Sequence, residues 1–210
     1  MICILGGTYD PVHFGHLRTA LDVQQALDIP QVHLLPCRVP PHRDEPYLSA
    51  SARLTLLELA VQNEPSLQID ARELNREGPS WMVDTLQSLR NEIGPEEPLC
   101  LALGMDALAA LDSWHYWREI PGLCHLVVMH RTGYDWPGEG EVADWLKTAR
   151  MDDVTTLHDA PAGWAAAVRV TQLDISSTTI RETLAAGHNA RYLLPDAVLE
   201  RMTQENWYAN

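Results

Sequence analysis

The chain has 210 residues, 46% of them hydrophobic, enough to build the core of one domain spanning residues 1–210. Its formal net charge of −14 argues against nucleic acid and anionic membranes as partners and requires any phosphate site to be a local basic pocket. No apolar run is long enough to span a bilayer, no secretory signal opens the sequence, and four scattered cysteines (Cys3, Cys37, Cys100, Cys124) read as reduced thiols, so a cytoplasmic protein is expected.

In chain order, short apolar runs predict strands at Ile2–Leu5, Val32–Pro36, Leu67–Asp70, Leu99–Leu103, Leu123–Met129 and Val168–Leu173. Helical patterns fall between or after them at Gly15–Leu27, Ser51–Asn63, Ser80–Glu92, Trp114–Ile120, Ser177–Ala186 and Pro195–Asn206. The stretch 133–159 is richer in glycine, proline and acid and reads as a peripheral insertion with one helix near Val142–Ala149. Alternation of short strands with helices predicts an α/β fold: an open parallel sheet with helices on both faces. Ligands of such sheets bind beyond the carboxyl ends of the strands.

Four segments fall at that edge. The first, Gly6-Gly7-Thr8-Tyr9-Asp10-Pro11-Val12-His13-Phe14-Gly15-His16, joins strand one to the first helix. Glycines allow close backbone approach, and a helix start offers N–H groups and a positive dipole end to phosphate. His13 and His16 share one helix face at a spacing of three. A glycine turn with two surface histidines is the plainer alternative, but the combination at a strand-to-helix junction favours a polyphosphate site. The loop has neither the Walker Gly-Lys-Ser/Thr nor Gly-x-Gly-x-x-Gly, and no cluster completes a zinc site around the two histidines.

The second segment, Val39-Pro40-Pro41-His42-Arg43, is a stiff turn delivering a cation that can bind phosphate bidentately. The third, Gly104-Met105-Asp106, combines a close-approach glycine with a carboxylate suited to ribose hydroxyls, although alone it is an ordinary helix start. The fourth, Ile175-Ser176-Ser177-Thr178-Thr179-Ile180-Arg181, carries more hydroxyls than one cap needs, beside an arginine.

The first and fourth segments resemble the two signatures of the His-x-Gly-His nucleotidyltransferases. The stretch Arg72-Glu73-Leu74-Asn75-Arg76-Glu77-Gly78-Pro79-Ser80-Trp81-Met82-Val83-Asp84-Thr85-Leu86 narrows the likeness to bacterial nicotinate-nucleotide adenylyltransferases, as do Trp114-x-x-Trp117, Arg131-Thr132-Gly133-Tyr134 and Tyr192-Leu193-Leu194-Pro195. The resemblance covers residues 6 to 195. It implies a Rossmann-like fold of nucleotidyltransferase type and transfer of AMP from ATP to nicotinate mononucleotide, releasing pyrophosphate; as the sequence shows no carboxylate triad for a metal, magnesium is expected to come with ATP and not at a protein metal site. It implies catalytic roles for His13, His16, Arg43 and Arg181, and ATP contacts from Gly6, Gly7, Thr8, Gly104, Asp106, Ser176, Ser177, Thr178 and Arg181. On the acceptor side it implies Trp114 stacked on the nicotinate ring, the backbone of His115 at the ring carboxylate, Arg131 at the mononucleotide phosphate, and residue 82 near the carboxylate.

Three positions, in two segments, depart from the family. Trp81-Met82 replaces Tyr-Thr and Thr132 replaces proline, both on the acceptor side. Nicotinamide mononucleotide and phosphopantetheine are the rival acceptors. A non-catalytic nucleotide-binding module and a tRNA-synthetase-like enzyme are rivals of other classes. Trp117 reads as a core residue.

Overall fold

The computed structural model describes residues 1–40, 45–130 and 135–208. Seven strands form one parallel sheet: β1 (Ile2–Gly7), β2 (Val32–Pro36), β3 (Leu67–Ile69), β4 (Leu99–Gly104), β5 (His125–His130), β6 (Arg150–Met151) and β7 (Ala165–Arg169). Their order is β3-β2-β1-β4-β5-β7-β6. The chain runs outward from β1 to β3, then returns to lay β4 on the other side of β1. The crevice where the order reverses therefore lies between the carboxyl ends of β1 and β4.

Strand pleating sends alternate residues to opposite faces. Cys3, Leu5, Val32, Leu34, Cys100, Ala102, Val127 and Val168 pack beneath α1 (Phe14–Leu27), α2 (Ala50–Val61), α7 (Ser177–Ala185) and α8 (Asp196–Gln204). Ile4, Leu35, Leu99, Leu101, Leu103, Leu126 and Val128 pack beneath α3 (Met82–Ile93), α4 (Met105–Ala109), α5 (Ile120–Leu123) and α6 (Glu141–Ala149). Both faces are covered, which is why the strands read as continuous apolar runs instead of alternating ones. Buried His125 is accommodated in this core because both ring nitrogens are engaged, by the Ala160 carbonyl (2.8 Å) and the Trp164 N–H (3.1 Å).

Three sequence expectations change. The helix predicted over Trp114–Ile120 is two 3-10 turns, Leu111–Ser113 and Trp117–Glu119, leading into α5. Trp114 between them is extended (φ −77°, ψ 146°) and Tyr116 is left-handed (φ 49°). The apolar residues Leu111, Trp114, Trp117 and Ile120 repeat at a strict three, which is the 3-10 period and not 3.6. The strand expected at Val168–Leu173 starts earlier: Ala165 and Ala166 pair with Leu126 and Val127, and alanine carries little strand signal. Beyond Arg169 the chain leaves the ladder, and the Thr171 N–H donates to Asp22 (2.6 Å). The predicted peripheral insertion is part of the body: Val142, Ala143, Leu146 and Ala149 of α6 are buried, and β6 forms the sheet edge against β7.

Candidate active site

The turn after β1 is anchored from behind. Tyr9, 1% exposed, donates its hydroxyl to the Leu5 carbonyl (2.7 Å). Arg53 of α2 is completely buried, and its guanidinium donates to the carbonyls of Thr8 (2.7 Å), Arg38 (3.2 Å) and Leu48 (3.3 Å). One cation thus ties the glycine loop to the segments on either side of the Pro-Pro turn. Arg53 is absent from the residues expected at the site. The signal was an arginine at a core position of a helix, with Leu56 and Leu57 three and four residues on.

His13 is the N-cap residue of α1 and His16 lies in its first turn; neither a side-chain cap nor an acidic residue occupies that end. Their imidazoles stack with centroids 3.7 Å apart and planes inclined by 24°. Tyr9 meets His16 edge-on at 5.0 Å. His13 is 5% exposed, and its buried Nδ1 has no hydrogen-bond partner. Burial pushes its pKa down to about 4, so the ring is neutral at pH 7. Gly15 is what makes room: a Cβ there would stand 2.9 Å from the Nδ1 and Cε1 of His13.

The N-terminus of α7 abuts the same loop. The Ser176 hydroxyl oxygen accepts from the Thr179 N–H (3.0 Å), and Ser177 donates to the Pro11 carbonyl (2.9 Å). Arg181 donates to the Asp10 carbonyl (2.7 Å) and to Thr178 Oγ1 (3.2 Å), and lies over the Tyr47 ring at 4.6 Å. Two helix N-termini with positive dipole ends thereby converge on one loop. Of the hydroxyls surplus to a cap, Ser177 is the one that laces α7 to this loop.

Across the switch point, Gly104 closes β4 beside β1. A Cβ on Gly104 would lie 2.5 Å from Asp106 Oδ1, so the carboxylate folds back over the strand end, and only glycine permits it.

The residues expected on the acceptor side come from α3 and from the turns after α4. The 72–86 segment is a scaffold. Buried Glu73 accepts from the Thr85 hydroxyl (2.6 Å), and Arg76 donates to Thr85 Oγ1 (3.1 Å) and to the Trp81 carbonyl (3.3 Å). Ser80 Oγ accepts from the Arg38 N–H (3.0 Å), while its own N–H donates to the Val39 carbonyl (3.1 Å). Burial raises the Glu73 pKa. This network fixes the start of α3, and the Met82 methyl reaches 3.4 Å from where a Gly6 Cβ would stand. Trp81 stacks on His115 (4.6 Å, 27°), and His115 in turn meets Tyr116 (4.1 Å). Half-buried Trp114 packs against the second core. Met82, Trp114 and His115 are therefore brought to one wall beside the glycine loop. Trp81, first read only as a departure, is part of that wall. Trp117 is buried in the core as expected. Arg43 and Arg131 lie outside the described residues.

A parallel sheet with a glycine loop, paired imidazoles and a second helix N-terminus at its switch point defines a nucleotide-binding α/β protein of the nucleotidyltransferase type. The Cytidylyltransferase-like family model matches residues 4–183. A Methylococcus capsulatus protein named probable nicotinate-nucleotide adenylyltransferase is 47% identical over 210 residues, covering 100% of both chains. A Marinobacter nauticus protein of the same name is 44% identical, covering 95% of this chain and 93% of its own. The chain belongs to this nicotinate-nucleotide adenylyltransferase family. Among solved structures, the Plasmodium falciparum nicotinic acid mononucleotide adenylyltransferase complexed with NaAD matches with a TM-score of 0.74. That match covers 99% of this chain and 96% of the other at 15% identity, a likeness of fold.

Proposed function

We infer that this protein transfers AMP from ATP to nicotinate mononucleotide, giving nicotinate adenine dinucleotide and pyrophosphate. The observation that carries the reading is the juxtaposition at one switch point of the stacked His13–His16 pair with the Met82, Trp81 and His115 wall. One side suits a polyphosphate and the other a flat ring. The full-length relatives bearing that activity in their names support the same assignment.

The acceptor phosphate oxygen forms a new bond to the α-phosphorus, and the bond from that phosphorus to the pyrophosphate oxygen breaks. The nucleophile is already anionic, so the chain needs no covalent intermediate and no strong base. Its work is to hold two reactants in line and to stabilise spreading negative charge. Neutral His13 and neighbouring His16 are the donors for the α-phosphate. The starts of α1 and α7, with Ser176, Ser177, Thr178 and Arg181, serve the rest of the triphosphate, and Gly6, Gly7 and Thr8 bring backbone close to it. Arg43 adds a second cation. Gly104 and Asp106 border the nucleoside. Trp114 stacks on the pyridine ring, His115 and Met82 offer backbone N–H groups near its carboxylate, and Arg131 meets its phosphate.

Among the described residues no three of His, Cys, Asp and Glu come together to hold a metal ion. Magnesium would arrive with ATP as part of the substrate. A cytoplasmic setting is supported by the four cysteines being free thiols. No helix among the described residues is long and apolar enough to cross a membrane. A single unit over 1–210 is supported by the one seven-stranded sheet.

The test is pyrophosphate release with ATP and magnesium, comparing nicotinate mononucleotide, nicotinamide mononucleotide and phosphopantetheine at equal concentration. Strong preference for the nicotinate compound is expected. Preference for the amide would keep the chemistry and change the acceptor. No release with any acceptor would leave a nucleotide-binding module.

A further inference from the structure

Asp10 stands three residues before His13 and is 4% exposed. Its carboxylate collects donors from two distant parts of the chain. Oδ2 accepts from the Tyr47 N–H at 2.7 Å, and Oδ1 accepts from the Leu48 N–H at a marginal 3.4 Å. The strong donor to Oδ1 is the hydroxyl of Tyr208, which follows α8 at the far end of the chain. Asp10's own carbonyl is the acceptor for Arg181. The Tyr47 ring that covers the Arg181 guanidinium lies 6.3 Å from the Tyr208 ring. Asp10, Arg181, Tyr47 and Tyr208 thus form one cluster directly behind the His13 loop.

The backbone leading to Tyr208 is held in place. Trp207 donates its N–H to the Met202 carbonyl (2.9 Å), and Trp207 and Tyr208 both pack against the first core. Asn206 and Tyr208 adopt φ of 55° and 63°. Left-handed backbone is acceptable for asparagine but unfavourable for tyrosine, so contacts made by Tyr208 must offset it. The bond to Asp10 is the contact available to its hydroxyl.

We propose that Tyr208 is a positioning residue of the nucleotide site: its hydroxyl satisfies Asp10 so that Arg181 remains available to the triphosphate. The physical reason is competition for one cation. A buried carboxylate oxygen deprived of a good donor turns to the nearest positive charge. Among the described residues Arg53 is already committed to three carbonyls, which leaves Arg181, held at Asp10's own carbonyl, as the cation able to move. A neutral phenol donor satisfies Oδ1 without spending the guanidinium. Without it, Arg181 shifts onto the carboxylate, and the loop carrying His13 shifts with it. The inference rests on the ATP-side reading of this loop.

The test is Tyr208→Phe in the full chain, which removes one oxygen and keeps the ring. Pyrophosphate release is measured with each substrate varied in turn, and binding of ATP alone is measured by calorimetry. The KM and Kd for ATP are expected to rise about tenfold, as for loss of a hydrogen bond to a charged group. The KM for nicotinate mononucleotide should stay close to that of the unaltered protein, while the thermal midpoint falls by a few degrees with the lost hydrogen bond. Asp10→Asn supplies the second arm. If Tyr208 acts through Asp10, adding Tyr208→Phe to Asp10→Asn changes ATP binding no further. Unchanged ATP constants in Tyr208→Phe would overturn the proposal. So would equal shifts for both substrates, or effects that simply multiply in the double variant. The calorimetric arm needs no turnover, so the proposal can fail while the adenylyl-transfer reading stands, and the reverse.

Discussion

The two ends of the cleft are built in different ways. The end proposed to meet phosphate is assembled from backbone and cations tied across the chain: Arg53 from α2, Arg181 from α7 and Tyr208 beyond α8 all reach the loop of residues 8–10. The acceptor end is a set of stacked rings on short turns, Trp81 on His115 and His115 beside Tyr116, with a buried polar scaffold only beneath α3. The difference matches what the proposed ligands would require of each end. Charge that develops during phosphoryl transfer is stabilised only by donors already in place, so that end is over-determined. A planar ring needs area and a rough orientation, which a stack of aromatic side chains supplies with less support.

If that contrast is right, the largest loss should come from the buried anchor. Arg53→Met is expected to lower folding stability by about 4 kcal/mol, because three inward-facing carbonyls lose their donor. Urea denaturation checks this, and a loss below about 1 kcal/mol would show that water replaces the guanidinium.

Acid should act on the same end. His13 has its folded pKa lowered from 6.5 to about 4. The folded protein then refuses a proton that the unfolded chain accepts, so the stability is fully present above pH 6.5 and is lost as pH falls through that interval toward 4. The loss approaches about 3 kcal/mol for this one group. Denaturation midpoints measured across that range should fall less steeply in His13→Asn.

His16→Ala should cut turnover by about 10²-fold, as for loss of a preorganised oxyanion donor, with little change in fold. Steady-state kinetics would reveal it, and a fully active variant would remove the imidazole pair from the mechanism. The smallest effect belongs to the ring-binding end. Trp114→Ala should raise the KM for nicotinate mononucleotide about tenfold and leave that for ATP nearly unchanged. Equal effects on both substrates would mean that Trp114 holds structure instead of ligand.

Much of this arrangement was legible along the chain because it is local. The glycine loop, the histidine spacing and the Ser-Thr helix start are each contained within a dozen residues, and short apolar runs mark strands buried on both faces. The misplacements have two causes, one local and one tertiary. Trp114–Ile120 has an apolar repeat of three that suits 3-10 turns. The residues at Ala165–Ala167 form a strand because β5 lies alongside, against their own weak preference.

By itself the sequence determined the parallel α/β class, the strand-end loops and the residue types proposed to meet phosphate, since each is written in short-range spacing. Only the tertiary structure decided that Arg53 is a buried tie instead of a surface charge, that Trp81 and His115 form one stack from residues 34 apart, and that Tyr208 closes on Asp10 from 198 residues away. Those contacts depend on which helices share a face of the sheet and on where a strand order reverses. Such relations have no local period to read, because burial and hydrogen-bond satisfaction are settled between elements and not within them.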